Sequence, residues 1–183
     1  MDAIFQLLLK NKDMANAIAA VASALVALIA LFVSLYALHI QRRHNILSIR
    51  PIPEVTVADF ENSLRVKLRN NGPGPMTIVS FKVFKGNEVK DSVIEWMPTL
   101  PPNRPWNHFA MALEQSTIQS NGVVPLVELT AGEDETNFPN WRDLTRAELS
   151  KLRVVVYYTD IYESNLSPYE KSLIWFRRNL NDT

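Results

Sequence analysis

The sequence has 183 residues, which is enough for one membrane span and one domain of ordinary size. Its 19 Lys+Arg residues balance 19 Asp+Glu residues, and a formal net charge of zero argues against a general nucleic-acid binder. The absence of cysteine excludes disulfides, thiolate metal sites and a cysteine nucleophile.

The chain starts with a short apolar tail, residues 1–14, followed by a predicted transmembrane helix, residues 15–40. Four apolar residues of the tail share one helical face: Ile4, Phe5, Leu8 and Leu9. An interfacial amphipathic helix and a frayed tail both fit this pattern. Residues 17–38 carry no charge and span roughly 33 Å as a helix, which matches a hydrocarbon core of about 30 Å. Asp13 is the expected N-cap of this helix.

A cleaved signal peptide is the competing interpretation of the apolar stretch. The apolar region of a signal peptide has about 7–15 residues and ends in a small-residue cleavage site, whereas this run is longer and YALHIQRRH follows it. The charges before the span are balanced, and those after it are basic: Arg42, Arg43 and Arg50. The positive-inside rule therefore predicts a single-pass protein of the bacterial inner membrane, with the N-terminus outside and the C-terminal domain in the cytoplasm.

The small residues of the span recur in phase along one helical face. They are separated alternately by three and four positions, which is the 3.5 period of a left-handed coiled coil: Asn16, Ala20, Ser23, Ala27, Ala30, Ser34 and Ala37. The opposite face carries large apolar residues from Ile18 to Leu35.

Because lipid tails are as apolar as leucine, this segregation predicts homo-oligomerisation through the small face. A tight bundle and a narrow pore both fit; in the pore, Asn16, Ser23 and Ser34 form polar rings, and Ala27 and Ala30 form a constriction. The alternative is that alanine and serine merely fill a span.

A basic neck is predicted over residues 41–50, and Pro51 ends any helix there. We expect the neck to carry gating motions through Gln41, Arg42, Arg43 and His44. Beyond it, residues 51–183 change to a period of two. In NSLRVKLRN, for example, the apolar residues Leu64, Val66 and Leu68 alternate with cations.

Several further strands follow in this domain, separated by turn signals. They are predicted over residues 55–60, 76–86, 89–96, 108–113, 123–129, 152–158 and 172–177. NNGPGP reads as a turn in which Gly72 and Gly74 can take positive φ, and it closes a hairpin. A short helix is predicted at 144–152, where Thr145 and Glu148 have capping-box spacing. The pattern favours an antiparallel β-sandwich of immunoglobulin-like topology, with a small closed barrel as the alternative.

Three segments carry a resemblance to known proteins. LYALHIQRRHNILSIRPIPEV resembles the juxtamembrane H-N-x-L-S-x-R-P pattern of small bacterial single-span membrane proteins, and NNGPGP and VVYYTDIY resemble two later motifs of the same proteins. The resemblance implies a membrane anchor followed by a β domain. The general build is also similar to that of membrane effectors in antiphage systems, such as the Hailong-type channel, in which a nucleotide or oligonucleotide signal controls a pore.

The sequence gives no sign of catalysis. It has no nucleotide-binding glycine loop, no nucleophile elbow and no zinc-ligand spacing, so we expect no enzyme activity, no cofactor and no metal. The nearest carboxylate cluster, Asp160 and Glu163, reads as a solvated strand end.

Ligand binding is the remaining prediction for the domain. Cations of one strand point to one face, joined across the hairpin by a fourth: Arg65, Lys67, Arg69 and Lys82. The C-terminal WFRR adds stacking and phosphate-binding groups in Trp175, Arg177 and Arg178. An ordinary polar outer face is the alternative. No duplex nucleic acid is expected, because residues 51–183 hold 14 Lys+Arg and 17 Asp+Glu.

The sequence thus predicts an oligomeric membrane protein whose cytoplasmic β domain senses an anionic ligand, such as a nucleotide or oligonucleotide, and gates a pore. A passive anchor whose sandwich binds a protein partner is the alternative, and a periplasmic domain is the third interpretation.

Overall fold

A computed structural model describes residues 11–133 and 135–180. The chain divides into two compact units between Leu47 and Ser48, which are described separately. The predictions for residues 1–10, including the apolar face of the tail, lie outside the described residues.

The first unit contains one long helix, α1, Lys12–Ser48. It begins one residue before the predicted N-cap, so Asp13 lies in the first turn. A carboxylate at this position interacts favourably with the helix dipole and stabilises the helix. The predicted neck is not a separate segment, because α1 continues through it to Ser48. The helix ends ahead of Pro51, which disfavours helical backbone in the residue before it.

No residue of α1 is buried, although its most apolar 18-residue window has a mean hydropathy of 2.7. The core helix of a water-soluble protein would be largely buried. By its length and composition, α1 is able to span a membrane, and its apolar surface is not covered by the described residues.

The second unit is an antiparallel β-sandwich. One sheet has the order β1-β2-β7-β5, and the other has the order β4-β3-β8-β9, with β6 beside β3. The first sheet consists of β1 Pro53–Phe60, β2 Ser63–Asn70, β7 Val123–Thr130 and β5 His108–Phe109. The second consists of β3 Met76–Lys85, β4 Glu88–Lys90, β6 Thr117–Ile118, β8 Leu152–Thr159 and β9 Tyr169–Ser172.

This strand order is that of an immunoglobulin domain, with β1 to β9 taking the places of A, B, C, C′, D, an extra strand, E, F and G. The predicted immunoglobulin-like sandwich is confirmed. Neither sheet closes within the described residues, so the barrel alternative is wrong.

The core lies between the two sheets and alternates along each strand. In β2, Leu64, Val66 and Leu68 are fully buried, whereas the cations between them face outward. Residues of the second sheet such as Ile78 and Val154 meet them in one cluster. The period-two pattern of the sequence therefore identified the buried face correctly.

The turn NNGPGP does not close a hairpin. The strands on either side of it, β2 and β3, belong to different sheets, so the turn carries the chain across the sandwich. Neither Gly72 nor Gly74 has positive φ, and Gly86 is the glycine in the described residues that does. The predicted proximity of Lys82 to the cations of β2 is therefore wrong.

The helix of this unit, α2, spans Phe138–Leu149 and so begins before the predicted residues 144–152. Pro139 lies in its first turn, a position that proline favours. Thr145 is inside the helix and donates to the carbonyl of Trp141 at 2.7 Å, so it does not form the predicted capping box.

Two predicted strands are partly 3₁₀ helix. The segment 89–96 contributes to β4 and then forms a 3₁₀ helix over Ile94–Trp96, and the segment 172–177 ends β9 and forms another over Ile174–Asn179. Leu173 and Phe176, three positions apart, are both fully buried, and this spacing is that of one 3₁₀ face.

Candidate functional site

The small face of α1 extends beyond the predicted span. Because α1 is one continuous helix, the alternation of three and four positions can be followed from the first turn to the last. The residues on this seam are Asp13, Asn16, Ala20, Ser23, Ala27, Ala30, Ser34, Ala37, Gln41, His44 and Ser48. None of them is a large apolar residue, and all are exposed. We refer to these residues as the seam.

The two serines in the middle of the seam are bonded within their own helix. The hydroxyl of Ser23 donates to the carbonyl of Ala19 at 2.8 Å, and that of Ser34 donates to the carbonyl of Ala30 at 2.8 Å. Both hydroxyl protons therefore keep a hydrogen-bond partner even in an apolar environment. Each oxygen keeps lone pairs that can accept a bond from another chain or from water.

The predicted gating residues fall on two different faces of α1. Gln41 and His44 belong to the seam by their spacing, whereas Arg42 and Arg43 follow the face of large apolar residues. This division could be read from the sequence only once α1 was known to continue through the neck.

In the second unit, the chain entering the sandwich is packed tightly against NNGPGP. A Cβ on Gly72 would lie 2.4 Å from the backbone oxygen of Arg50, and one on Gly74 would lie 1.8 Å from that of Ile49. Only glycine allows this close approach of two backbones. The glycines of the motif are therefore required for space and not for positive φ.

Asn70 holds this end of the sandwich together and is fully buried. Its Oδ1 accepts from the backbone N–H of Ile52 at 3.1 Å and of Gly72 at 3.0 Å. Its Nδ2 donates to the carbonyls of Gly74 at 2.7 Å and Ile118 at 3.2 Å. One side chain thus ties the entering chain to two turns. We refer to Asn70, Gly72, Gly74 and residues 49–52 as the Asn70 cluster.

The role of Asn70 was missed from the sequence. It continues the phase of Leu64, Val66 and Leu68, and this phase placed a polar residue on the buried face of the strand. A buried amide needs partners, so the pattern was a usable signal of a structural hydrogen-bond centre.

The predicted cations of β2 do share the outer face of their sheet. Two of them contact the same carboxylate: Arg65 Nε lies 3.1 Å from Glu128 Oε1, and Lys67 Nζ lies 3.7 Å from Glu128 Oε2. His108 Nδ1 is 3.6 Å from the same carboxylate group. Arg69 is exposed and has no ion pair with any residue in 11–133 or 135–180. The face is cationic, but Glu128 already occupies its centre.

The other predicted ligand-binding residues lie elsewhere. Lys82 is on the outer face of the second sheet, where it pairs with Asp91 at 2.7 Å and Glu114 at 3.5 Å, and these partners raise its pKa. Trp175 is in the C-terminal 3₁₀ helix, and the guanidinium of Arg178 stacks 3.5 Å from the centre of its ring. Of the predicted ligand-binding residues, only Arg65, Lys67 and Arg69 therefore lie together on the outer face of β2.

A surface depression of about 630 Å³ lies between the β1–β2 turn and the start of α2. Its charged lining is largely paired within the protein. Arg104 binds Glu135 and thereby lowers the pKa of that carboxyl, and Arg142 donates to the carbonyl of Glu61 at 2.8 Å. Since two of its charged side chains are occupied in this way, we assign no ligand to this depression.

The motif VVYYTDIY ends in a turn organised by Asp160. The buried carboxylate of Asp160 accepts from the backbone N–H of Tyr162 at 2.9 Å and of Ser164 at 3.0 Å. The turn leaves Ile161 and Tyr162 more than half exposed. The sequence pattern suggested that Asp160 belongs to a solvated strand end. The structure shows instead that it is buried and stabilises the turn.

No group of three or more potential metal ligands occurs in the part of the chain that the structure describes. The expectations of no metal, no cofactor and no enzyme activity stay predictions.

Comparison with known proteins gives one result. A family model described as Domain of unknown function (DUF8453) matches residues 17–174, from within the apolar part of α1 to the last 3₁₀ helix. Since the match spans most of the chain, the protein belongs to this family. No curated protein and no solved structure matches the chain significantly.

Proposed function

We propose that this DUF8453 protein is a homo-oligomer of the bacterial inner membrane in which α1 packs on copies of itself through the seam and forms a gated pore. The sandwich lies in the cytoplasm and senses an anionic ligand, such as a nucleotide or oligonucleotide. The observation that carries the proposal is the seam, which keeps one phase along the whole of α1.

The physical argument starts from the segregation of side-chain size. Lipid does not distinguish alanine from leucine strongly enough to sort them onto opposite faces of a lone helix. Contact with another helix does, because small residues allow close backbone approach. The polar ends of the seam, from Asp13 to Asn16 and from Gln41 to Ser48, suit entrances wetted by water, and the alanines between them suit a constriction.

Three observations support a membrane location. The helix α1 is apolar and unburied, the family match includes most of its apolar part, and the charges after the span are basic. These charges favour a cytoplasmic sandwich.

The ligand-binding part of the proposal rests on the outer face of β2. Arg65, Lys67 and Arg69 offer three cations on a face that also carries two carboxylates: Glu128, which contacts Arg65 and Lys67, and Glu54, which lies opposite Arg69 in the register of β1. A phosphate-rich ligand would displace Glu128 from two of them and use Arg69 directly. The Asn70 cluster fastens residues 49–52 to the end of the same strand, so a change at β2 reaches the chain where it leaves α1.

The pore is tested by ion flux from liposomes that contain the full-length protein, with the candidate ligand on the sandwich side. Ala27→Leu, on the seam, is expected to abolish flux because leucine prevents close packing and fills the constriction. Leu25→Ala, on the opposite face, is the matched control and is expected to retain it. Equal flux from both variants contradicts the pore.

Ligand binding is tested by calorimetry with nucleoside triphosphates and short oligonucleotides. Charge reversal of Arg65, Lys67 and Arg69 together is expected to abolish binding, whereas Lys171→Glu on the second sheet leaves it intact. If the triple variant binds as well as the wild-type protein, the β2 face is not the sensor. An antiphage role predicts that cells lose protection with the same triple variant.

A second candidate function is a passive anchor whose sandwich docks a protein partner. It is favoured by the internal pairing of Arg65 and Lys67 with Glu128, and by the Asp160 turn, which holds Ile161 and Tyr162 outward. The outcome that selects it is an oligomer or monomer without flux and without nucleotide binding, whose partner in the cell is lost on Tyr162→Ser.

A further inference from the structure

Two arginines and a histidine lie on the face of α1 opposite the seam, next to its apolar part. His39 has Arg42 three positions later and Arg43 four positions later, and side chains at these spacings are neighbours on a helix. Counting back from His39 by four and by seven positions leads to Leu35 and Phe32, the last large residues of the apolar face. The three side chains therefore continue the stripe that faces lipid.

These side chains border a shallow depression of about 380 Å³ on the helix surface, which Ile46 and Leu47 complete. Arg42 and Arg43 are exposed, and neither guanidinium has a hydrogen bond or ion pair with a residue in 11–133 or 135–180. Both arginines thus border one depression, and no carboxylate of the described residues pairs with either guanidinium.

We propose that His39, Arg42 and Arg43 bind the phosphate of an anionic phospholipid at the membrane surface. The inference rests on the proposed function in one respect, namely that α1 crosses the bilayer. Guanidinium groups present paired N–H donors to phosphate oxygens, and the imidazole adds a further donor. The acyl chains of the same lipid extend along Leu35 and Phe32.

A lipid fits this site better than a free phosphate or a nucleotide does. The cations lie in line with an apolar stripe, so that one molecule with a charged head and apolar tails satisfies both parts. The site is on the outer side of the helix, which leaves Gln41 and His44 available for contact between subunits. A bound headgroup would also fix the depth of α1 in the bilayer.

The test uses full-length protein that is purified in detergent, stripped of lipid and incubated with phosphatidylglycerol or phosphatidylcholine before native mass spectrometry. The wild-type protein is expected to retain phosphatidylglycerol preferentially. The variant Arg42→Ala/Arg43→Ala is expected to lose this preference by about an order of magnitude. The variant Arg65→Ala/Arg69→Ala removes the same charge from the sandwich and is expected to keep it.

Excess inorganic phosphate is expected to leave the lipid bound, since it has no acyl chains to occupy the stripe. Unchanged retention of phosphatidylglycerol by Arg42→Ala/Arg43→Ala, equal loss in the sandwich variant, or displacement by phosphate would each overturn the inference. The same spectra count the subunits. A monomer with arginine-dependent lipid binding contradicts the assembly proposed above but not the lipid site. An oligomer without lipid preference contradicts the lipid site but not the assembly.

Discussion

Gly74 packs against Ile49 so closely that a Cβ atom on the glycine would lie 1.8 Å from the backbone oxygen of Ile49. The contact joins the turn after β2 to the four residues between α1 and β1. Because of this contact, residues 49–52 belong to the folded domain and do not form a loose linker.

Gly74→Ala is therefore expected to destabilise the sandwich. The added methyl group meets backbone, which cannot move aside as a side chain can, and such overpacking costs about 2–3 kcal/mol. The measurement is urea unfolding of the full chain in detergent, followed by the fluorescence of the four tryptophans, all of which lie in the sandwich. Gly132→Ala, whose Cβ would have its nearest neighbour at 3.7 Å, is the control, and equal midpoints for the two variants contradict the argument.

Asn70→Ala is expected to cost about 3 kcal/mol in the same unfolding measurement. The substitution leaves the buried N–H of Gly72 and the partly buried N–H of Ile52 without their acceptor, and unsatisfied buried groups are costly. Ser120→Ala removes the bond that its hydroxyl donates to the carbonyl of Gly72, together with a long, exposed bond from Asn121 Nδ2 at 3.4 Å, and is expected to cost about 1 kcal/mol. The idea fails if both variants unfold at the same urea concentration.

The buried pair of Asp59 and Arg146 fastens α2 to the first sheet, with contacts of 2.7 and 2.8 Å. Arg146→Met is expected to cost about 3–5 kcal/mol, because it leaves the fully buried Asp59 carboxylate without its cation. The exposed pair of Arg153 and Glu170 is the comparison, and Glu170→Gln is expected to cost less than about 1 kcal/mol. Adding Asp59→Leu to Arg146→Met should restore part of the loss; a further loss would contradict this account.

Asp160 gives the sandwich a component of acid sensitivity. Burial raises the pKa of this carboxyl, but the hydrogen bonds from Ser164 and Tyr162 lower it by more, so that its pKa lies below the ordinary value of 3.8. A carboxyl with a lowered folded-state pKa stabilises the fold above its unfolded pKa and loses that contribution as the pH falls through the folded value.

Urea midpoints measured from pH 6 down to pH 3 are therefore expected to fall more steeply for the wild-type protein than for Asp160→Asn, which does not titrate. Parallel curves for the two proteins would exclude this role of Asp160.

Single cysteines report the contact between copies of α1, because the natural chain has none. Ala20→Cys, Ala27→Cys and Ser34→Cys lie on the seam and are expected to form disulfide-linked dimers in membranes under mild oxidation. Leu25→Cys and Phe32→Cys on the opposite face are the matched controls and are expected to remain monomeric on gels. Equal cross-linking on both faces means that the helices do not associate in this register.

Local patterns predicted the sandwich and its buried faces because alternation is recorded residue by residue. The turn NNGPGP shows the limit of prediction from local patterns. Its glycines and prolines are the same whether the next strand joins the same sheet or the other one, and only packing across the core decides. The pairing of β2 with β7, over 50 residues later, is of the same non-local kind.

The candidate site was predictable to a similar extent. The phase of the seam from Asn16 to Ala37 follows from spacing alone, whereas its continuation to Ser48 depends on α1 being one continuous helix. The cationic face of β2 also follows from spacing, but its neutralisation by Glu128 does not, because that residue arrives from β7. Lys82 was assigned to the same face through a hairpin that does not exist, and WFRR was assigned to a strand that is a 3₁₀ helix.

The close contacts of Gly72 and Gly74 also bear on how relatives of this chain are compared. A substitution at either position is selected against by folding itself, whatever the domain binds. A shared N-N-x-G-x-G-P motif therefore reflects a shared way in which the chain enters its sandwich, and it carries no information about a shared ligand. Functional divergence within the family should be sought instead on the outer face of β2 and along α1, where the backbone imposes no such restriction.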